Sequence, residues 1–152
     1  MANATAICDS YRIDLLNGIH AFGTTVARAG TGADTFNLAL YLTTASLGSG
    51  TTAYSSTNEL AASGNYTAGG NAISAWNAPA QASHIAYTTP TATVTWTSLT
   101  SSGSFDGVLL YNATNSNKAV QAWNIGTQSI TASDFSLTMP TNDGSTGLVR
   151  IA

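Results

Sequence analysis

Charged residues are scarce in this sequence. Of its 152 residues, four are Lys or Arg and seven are Asp or Glu, so charged side chains make up 7% of the chain, against about 25% in typical soluble domains. Proteins that bind nucleic acid cluster their basic residues against the phosphates. Here the basic residues are scattered, at Arg12, Arg28, Lys118 and Arg150. We therefore expect no nucleic acid partner.

Cysteine, histidine and long apolar runs are also scarce. Cys8 is the only cysteine, which excludes an internal disulfide and predicts a small buried residue on the first helix. His20 and His84 are too few to build a zinc site. No apolar run approaches the ~18 residues of a membrane-spanning helix, and the opening Met-Ala-Asn-Ala-Thr is unlike a signal peptide. We therefore expect no metal, no cofactor and no membrane partner, and a protein made in a cytoplasm.

The residues that could do acid, base or nucleophilic chemistry form no recognisable motif. The sequence has no G-x-S-x-G nucleophile turn. Glu59 is the only glutamate, whereas glycoside hydrolysis uses two carboxyl groups at a set separation. Asp106, Asp134 and Asp143 adjoin turns or strand ends, where Asp bonds to the nearby backbone. We predict that all four carboxylates serve turns and that the protein is not an enzyme; a hydrolase would need two titratable groups in one pocket.

Apolar residues near the N-terminus follow a helical period. Ile7, Tyr11, Leu15 and Ile19 recur every four residues and form one stripe. This pattern predicts a single substantial helix within residues 1–23.

From about residue 30, apolar and polar residues alternate with a period of two, which is typical of half-buried strands. Short strands separated by turn signals predict a β-sandwich or a jelly-roll-like barrel. The sequence therefore predicts one mainly β domain over residues 1–152, with the sandwich in residues 30–152. The expected strands are residues 36–42, 72–76, 84–87, 92–96, 105–111, 119–125, 134–139 and 148–151.

Residues 44–70 form a long segment rich in Gly, Ser, Thr and Asn. A loop of this length in a compact domain is usually functional. Tyr54 and Tyr66 are isolated aromatic residues within it, and Tyr is a frequent interface residue. We predict Tyr54 and Tyr66 as partner contacts. Because a charge-poor surface opposes association only weakly, we also expect copies to pack together, as a homodimer or a homotrimer.

Five stretches carry a resemblance to known proteins. They are a helix ending near Leu15-Leu16-Asn17-Gly18, the strand 36–45, the segment 51–70, the stretch 107–120 and the closing residues 148–152. Together they resemble a family of small virion structural proteins of tailed phages, over nearly the whole chain. The resemblance implies a location in the virion and contacts with the major capsid protein or another virion protein. It implies either capsid decoration or cement, or a tail fibre, adaptor or receptor-binding component.

Two other functions fit the composition. Exposed tyrosines would suit a carbohydrate-binding β-sandwich module, although Trp96 and Trp123 lie in alternating strands and are predicted to pack in the core. A pilin-like subunit shares the Thr-rich, charge-poor composition, but the missing signal peptide counts against it.

Overall fold

The regular secondary structure of this protein is almost entirely β-strand. The computed structural model describes residues 3–16, 18–22, 33–61, 63 and 65–151, without the side chains of Arg12 and Leu16. Within these residues there are ten strands and one helix. In chain order they are β1 (Ala6–Ile7), α1 (Asp9–Leu16), β2 (Phe36–Leu42), β3 (Asn71–Ala72), β4 (Ala80–Ala82), β5 (Ile85–Thr88), β6 (Val94–Leu99), β7 (Phe105–Asn112), β8 (Lys118–Gln128), β9 (Ser133–Leu137) and β10 (Val149–Ile151).

The ten strands form three antiparallel sheets. The largest has the order β1-β8-β7-β2-β3, the second β10-β5-β4, and the third pairs β6 with β9. The mainly β prediction is confirmed, and the arrangement is sandwich-like. The barrel alternative is wrong, because each sheet in the described part of the chain ends in two edge strands. Four of those edges are only two or three residues long, too short to carry pairing round into a closed barrel.

The strand β7 lies at the centre of the fold, between β2 and β8. All eight of its residues are buried, as expected for a strand covered on both faces. Val108 lies on the face that packs towards the β6–β9 sheet, where Phe105 meets Phe135 edge to face at 5.2 Å. Tyr111 lies on the opposite face and stacks on Tyr54, with ring centroids 4.7 Å apart. The segment that contains Tyr54 therefore covers the second face of the large sheet.

The helix is shorter than predicted. Ile7, the first residue of the apolar stripe, is in β1 and pairs with Gln121 of β8. Because Ile7 pairs with the edge of β8, its backbone groups bond to that strand instead of within a helix. The helix α1 therefore begins at Asp9. It ends before Gly18, which has φ of 66° and suits a helix terminus. No helix in the described residues is long and apolar enough to cross a membrane.

Cys8 lies immediately before α1 rather than on it. Its side chain is fully buried, and burial raises the pKa of the thiol to about 12. The prediction of a small buried residue is therefore confirmed, and the thiolate that exchange reactions require is suppressed.

Candidate functional site

Tyr54 and Tyr66 converge on one carboxylate. Tyr66 is 3% exposed, so it has almost no surface to offer a partner in this conformation. Its hydroxyl donates to Oε1 of Glu59 at 2.7 Å. Tyr54 is half-buried, and its hydroxyl donates to Oε2 of the same residue at 2.6 Å. The structure thus brings the two predicted contact residues together, but with their polar ends turned inward.

Glu59 is the centre of this cluster. It is 7% exposed, and besides the two hydroxyls it accepts the backbone N–H of Gly69 at 2.7 Å. Three donors on one carboxylate satisfy a group that would otherwise be costly to bury. The turn role predicted for Glu59 is therefore wrong, since its partners lie between 5 and 10 residues away in sequence. We name Tyr54, Glu59, Tyr66 and Gly69 the Glu59 cluster.

The Glu59 cluster joins the long polar segment to the large sheet. The hydroxyl of Tyr66 also accepts the backbone N–H of Leu40 in β2 at 3.0 Å. The backbone of Leu60 donates to the carbonyl of Leu40 at 2.8 Å, and that of Leu42 to the carbonyl of Asn58 at 2.9 Å. Residues 58–60 therefore continue the edge of β2 beyond the short strand β3.

The phenols of the cluster stay protonated and act as donors. Burial, followed by the hydrogen bond to Glu59, raises the pKa of Tyr66 well above its usual value. The same causes raise the pKa of Tyr54. Tyr111 extends the network, because its hydroxyl donates to the carbonyl of Gly69 at 2.8 Å and accepts from Asn37 at 3.2 Å. The arrangement holds the long polar segment in place.

A second buried carboxylate holds the N-terminal arm. Asp106 in β7 is 8% exposed, and its Oδ1 accepts from the amide of Asn3 at 2.5 Å. Its Oδ2 accepts from the amide of Asn124 at 3.2 Å. The oxygen of the Asn3 amide accepts the backbone N–H of Leu47 at 2.9 Å. The turn role predicted for Asp106 is therefore wrong, because its partners lie on other elements of the fold.

Asp143 behaves as the sequence predicts. Its Oδ1 accepts the backbone N–H groups of Ser145 and Thr146, each at 2.7 Å. These two bonds are the main reason that its pKa lies below the usual value. The stretch 143–147 is thus a turn before β10, as predicted.

Two adjoining grooves border Trp123 on the surface. One has a volume of about 190 Å³ and reaches Val108 between the large sheet and the end of β9. The other has a volume of about 260 Å³ and is bordered by Gln121 and Arg150. Trp96 is buried in the core as predicted, whereas Trp123 is only partly covered. In the described residues no group of three His, Cys, Asp or Glu side chains is placed to hold a metal ion.

Comparisons with protein-family models, with curated proteins and with solved structures found no match to this chain. The case for a function therefore depends on the chain's own geometry and surface.

Proposed function

We propose that the protein is a non-enzymatic structural protein of a phage particle. Within the particle, we propose that it decorates or cements the capsid surface, through contacts with its own copies and with the major capsid protein. Modest contacts repeated over a lattice hold collectively without any single strong site. The resemblance to virion proteins, the mainly β fold and the uncharged surface all support this proposal.

The observation that carries the proposal is that most of the acidic residues are buried. Four of the seven acidic residues in the chain are at most 8% exposed, namely Asp14, Asp34, Glu59 and Asp106. The surface is therefore even poorer in charge than the composition indicates. Because net and local charge are what keep copies of a soluble protein apart, such a surface favours dense packing of many copies.

An exposed edge strand supports self-association. All three residues of β4 are exposed, and none of Ala80, Gln81 and Ala82 is charged. Natural proteins usually protect such edges with Lys, Pro or a bulge, and Pro79 lies before this strand rather than within it. Two copies related by a two-fold axis would pair β4 with β4, antiparallel, with Gln81 near the axis.

We expect Gln81→Lys to weaken the oligomer without affecting the fold. Two lysines would face each other across the two-fold axis, and like charges directly opposite are destabilising. Light scattering of the purified wild-type protein should show the mass of a dimer or of a multiple of it. In the variant, this oligomer should dissociate at a higher protein concentration. Thr127→Lys is the matched control, because Thr127 is also exposed and lies in another sheet. An unchanged mass in Gln81→Lys would remove β4 from the interface.

In a purified particle, we expect the protein on the capsid shell in a copy number close to that of the major capsid protein. A decorating protein repeats with the capsid lattice, whereas a tail component is present in few copies. Cryo-electron microscopy with quantitative mass spectrometry distinguishes the two locations. Detection at the tail alone would contradict capsid decoration and favour the tail fibre or adaptor role.

A further inference from the structure

His20 lies just after α1 and is a half-buried residue whose ring points into the molecule. Its side chain is 0% exposed and is surrounded by aromatic rings. The ring of Tyr11 lies 4.9 Å away and that of Phe36 lies 6.2 Å away, centroid to centroid. A histidine in such surroundings carries a positive charge only at high cost.

The neighbouring amide fixes which ring nitrogen of His20 carries the proton. Oδ1 of Asn112 accepts the backbone N–H groups of Thr114 and Asn115, each at 3.1 Å. These two bonds orient the Asn112 amide, so that its Nδ2 donates to Asp34 at 2.8 Å and faces Nδ1 of His20 at 3.1 Å. Because a donor faces Nδ1, this nitrogen is the acceptor. The proton of the neutral ring is then on Nε2.

Among the residues that the structure describes, none is placed to accept a second proton from His20. It would enter at Nδ1 and set two donors, the ring N–H and the Asn112 amide, against each other at their present 3.1 Å. Asp14 does not lie at Nδ1: its Oδ2 faces Nε2, which already carries the first proton, at 3.7 Å. Protonation therefore breaks the hydrogen bond between His20 and Asn112.

Among the described residues, three charged groups act on His20. Asp14 of α1 and Asp34 before β2 favour the protonated ring, whereas Lys118 at the start of β8 opposes it. Burial is the largest effect, and the pKa of His20 is lowered from its usual 6.5. The ring is therefore neutral at neutral pH.

The same residues attach the segment after α1 to the turn between β7 and β8. The amide of Asn115 donates to the carbonyl of Ile19 at 2.9 Å. The backbone N–H of Ala21 donates to Asp34 at 2.8 Å. Both bonds lie next to the Asn112 amide, so its displacement disturbs the whole attachment.

We propose that His20 is a proton-sensitive latch, which holds α1 and residues 18–22 against the β7–β8 turn when neutral and releases them when protonated. Since the pKa is lower in the latched form than the usual 6.5, the released form binds the proton more tightly. The latch is fully closed above that value. The free energy that holds the latch closed decreases as the pH falls from 6.5 towards the pKa of the latched form. Below that pKa it no longer changes with pH.

Hydrogen exchange tests the latch, through protection factors measured at about pH 7.5 and about pH 5. We expect protection of α1 and residues 18–22 to fall several-fold at the lower pH, because the released form binds the proton more tightly, while β7 keeps its protection. His20→Gln should abolish this fall, because Gln keeps an acceptor for Asn112 but does not titrate. His84→Asn is the matched control, since His84 is exposed with φ of 68°, which Asn tolerates, and it should behave as wild type.

Nitrogen chemical shifts of the imidazole rings give a second readout that needs no His20 variant. We expect His20 to carry its proton on Nε2 at neutral pH and to titrate below 6.5, the usual value. A proton on Nδ1, or titration at or above 6.5, overturns the proposal. An equal loss of protection in α1 and β7 also overturns it, because that pattern means global unfolding. So does a fall in protection that persists in His20→Gln.

Discussion

Replacing Glu59 with alanine is expected to lower the free energy of unfolding by about 3–5 kcal/mol. The substitution leaves the hydroxyl of Tyr66 and the N–H of Gly69 without the acceptor that now lies 2.7 Å from each. An unsatisfied buried donor costs about 1–3 kcal/mol, and the vacated side-chain volume adds to the loss. Tyr54 is expected to contribute less, because it is only half-buried.

Chemical denaturation of a graded series measures this effect. Glu59→Gln should cost less than Glu59→Ala, because one oxygen remains to accept from Tyr66 and Gly69 while the charge is lost. Asp134→Ala is the control for removing an acidic residue, since Asp134 is exposed and its Oδ1 accepts one backbone bond, from Ser98. A Glu59→Ala protein within about 1 kcal/mol of wild type would mean that the Glu59 cluster does not hold the segment.

The Glu59 cluster changes how the long polar segment could serve a partner. Residues 44–70 were expected to contact neighbouring subunits through Tyr54 and Tyr66. Both hydroxyls are engaged inside the molecule, whereas residues 55–58 are exposed. Because the Glu59 cluster anchors residues 44–70 to the sheet, the outer backbone and the small polar side chains of this segment keep a fixed shape. Such a preorganised surface loses little entropy on binding, which suits a contact that is repeated many times.

The strands could be predicted because their pattern is local. The alternation in 36–42 and in 134–139 places the large apolar side chains on one face, and the two regions contain β2 and β9. The strand β4 was missed because all three of its residues are exposed and none is a large apolar residue, so its sequence shows no alternation. The strand β1 was missed because Ile7 also fits a helical stripe, and only the open edge of β8 decides between the two.

The buried polar sites could not be predicted, because their partners are distant in sequence. Asn3 and Asp106 bond across 103 residues, and Asn112 and His20 across 92. A lone polar residue in a sequence carries no sign of such a partner, so the local turn role predicted for Asp106 was the default. Glu59 offered one signal that was not used: the only glutamate of the chain lies between two tyrosines of a long segment.

Among the glycines that the structure describes, Gly70 is expected to be the least replaceable. Its φ is 73°, a region that costs residues with a side chain about 1–2 kcal/mol. A Cβ there would also overlap the carbonyl oxygen of Leu38 and lie 2.7 Å from the Cα of Ala39. These are backbone atoms of the paired strand β2, which cannot move aside as a side chain can. We expect Gly70→Ala to cost more than about 4 kcal/mol, measured by thermal and chemical denaturation.

Gly126 provides the matched control, because its φ is also 73° and a Cβ there meets no atom within 4 Å. Gly126→Ala should therefore show only the conformational cost of about 1–2 kcal/mol. Asparagine separates the two effects, since it tolerates positive φ but still carries a Cβ. Gly126→Asn should approach wild-type stability, whereas Gly70→Asn should remain as damaging as Gly70→Ala. Equal costs at the two positions would contradict the close packing of residues 69–70 on β2, and with it the route by which Glu59 holds the segment to the sheet.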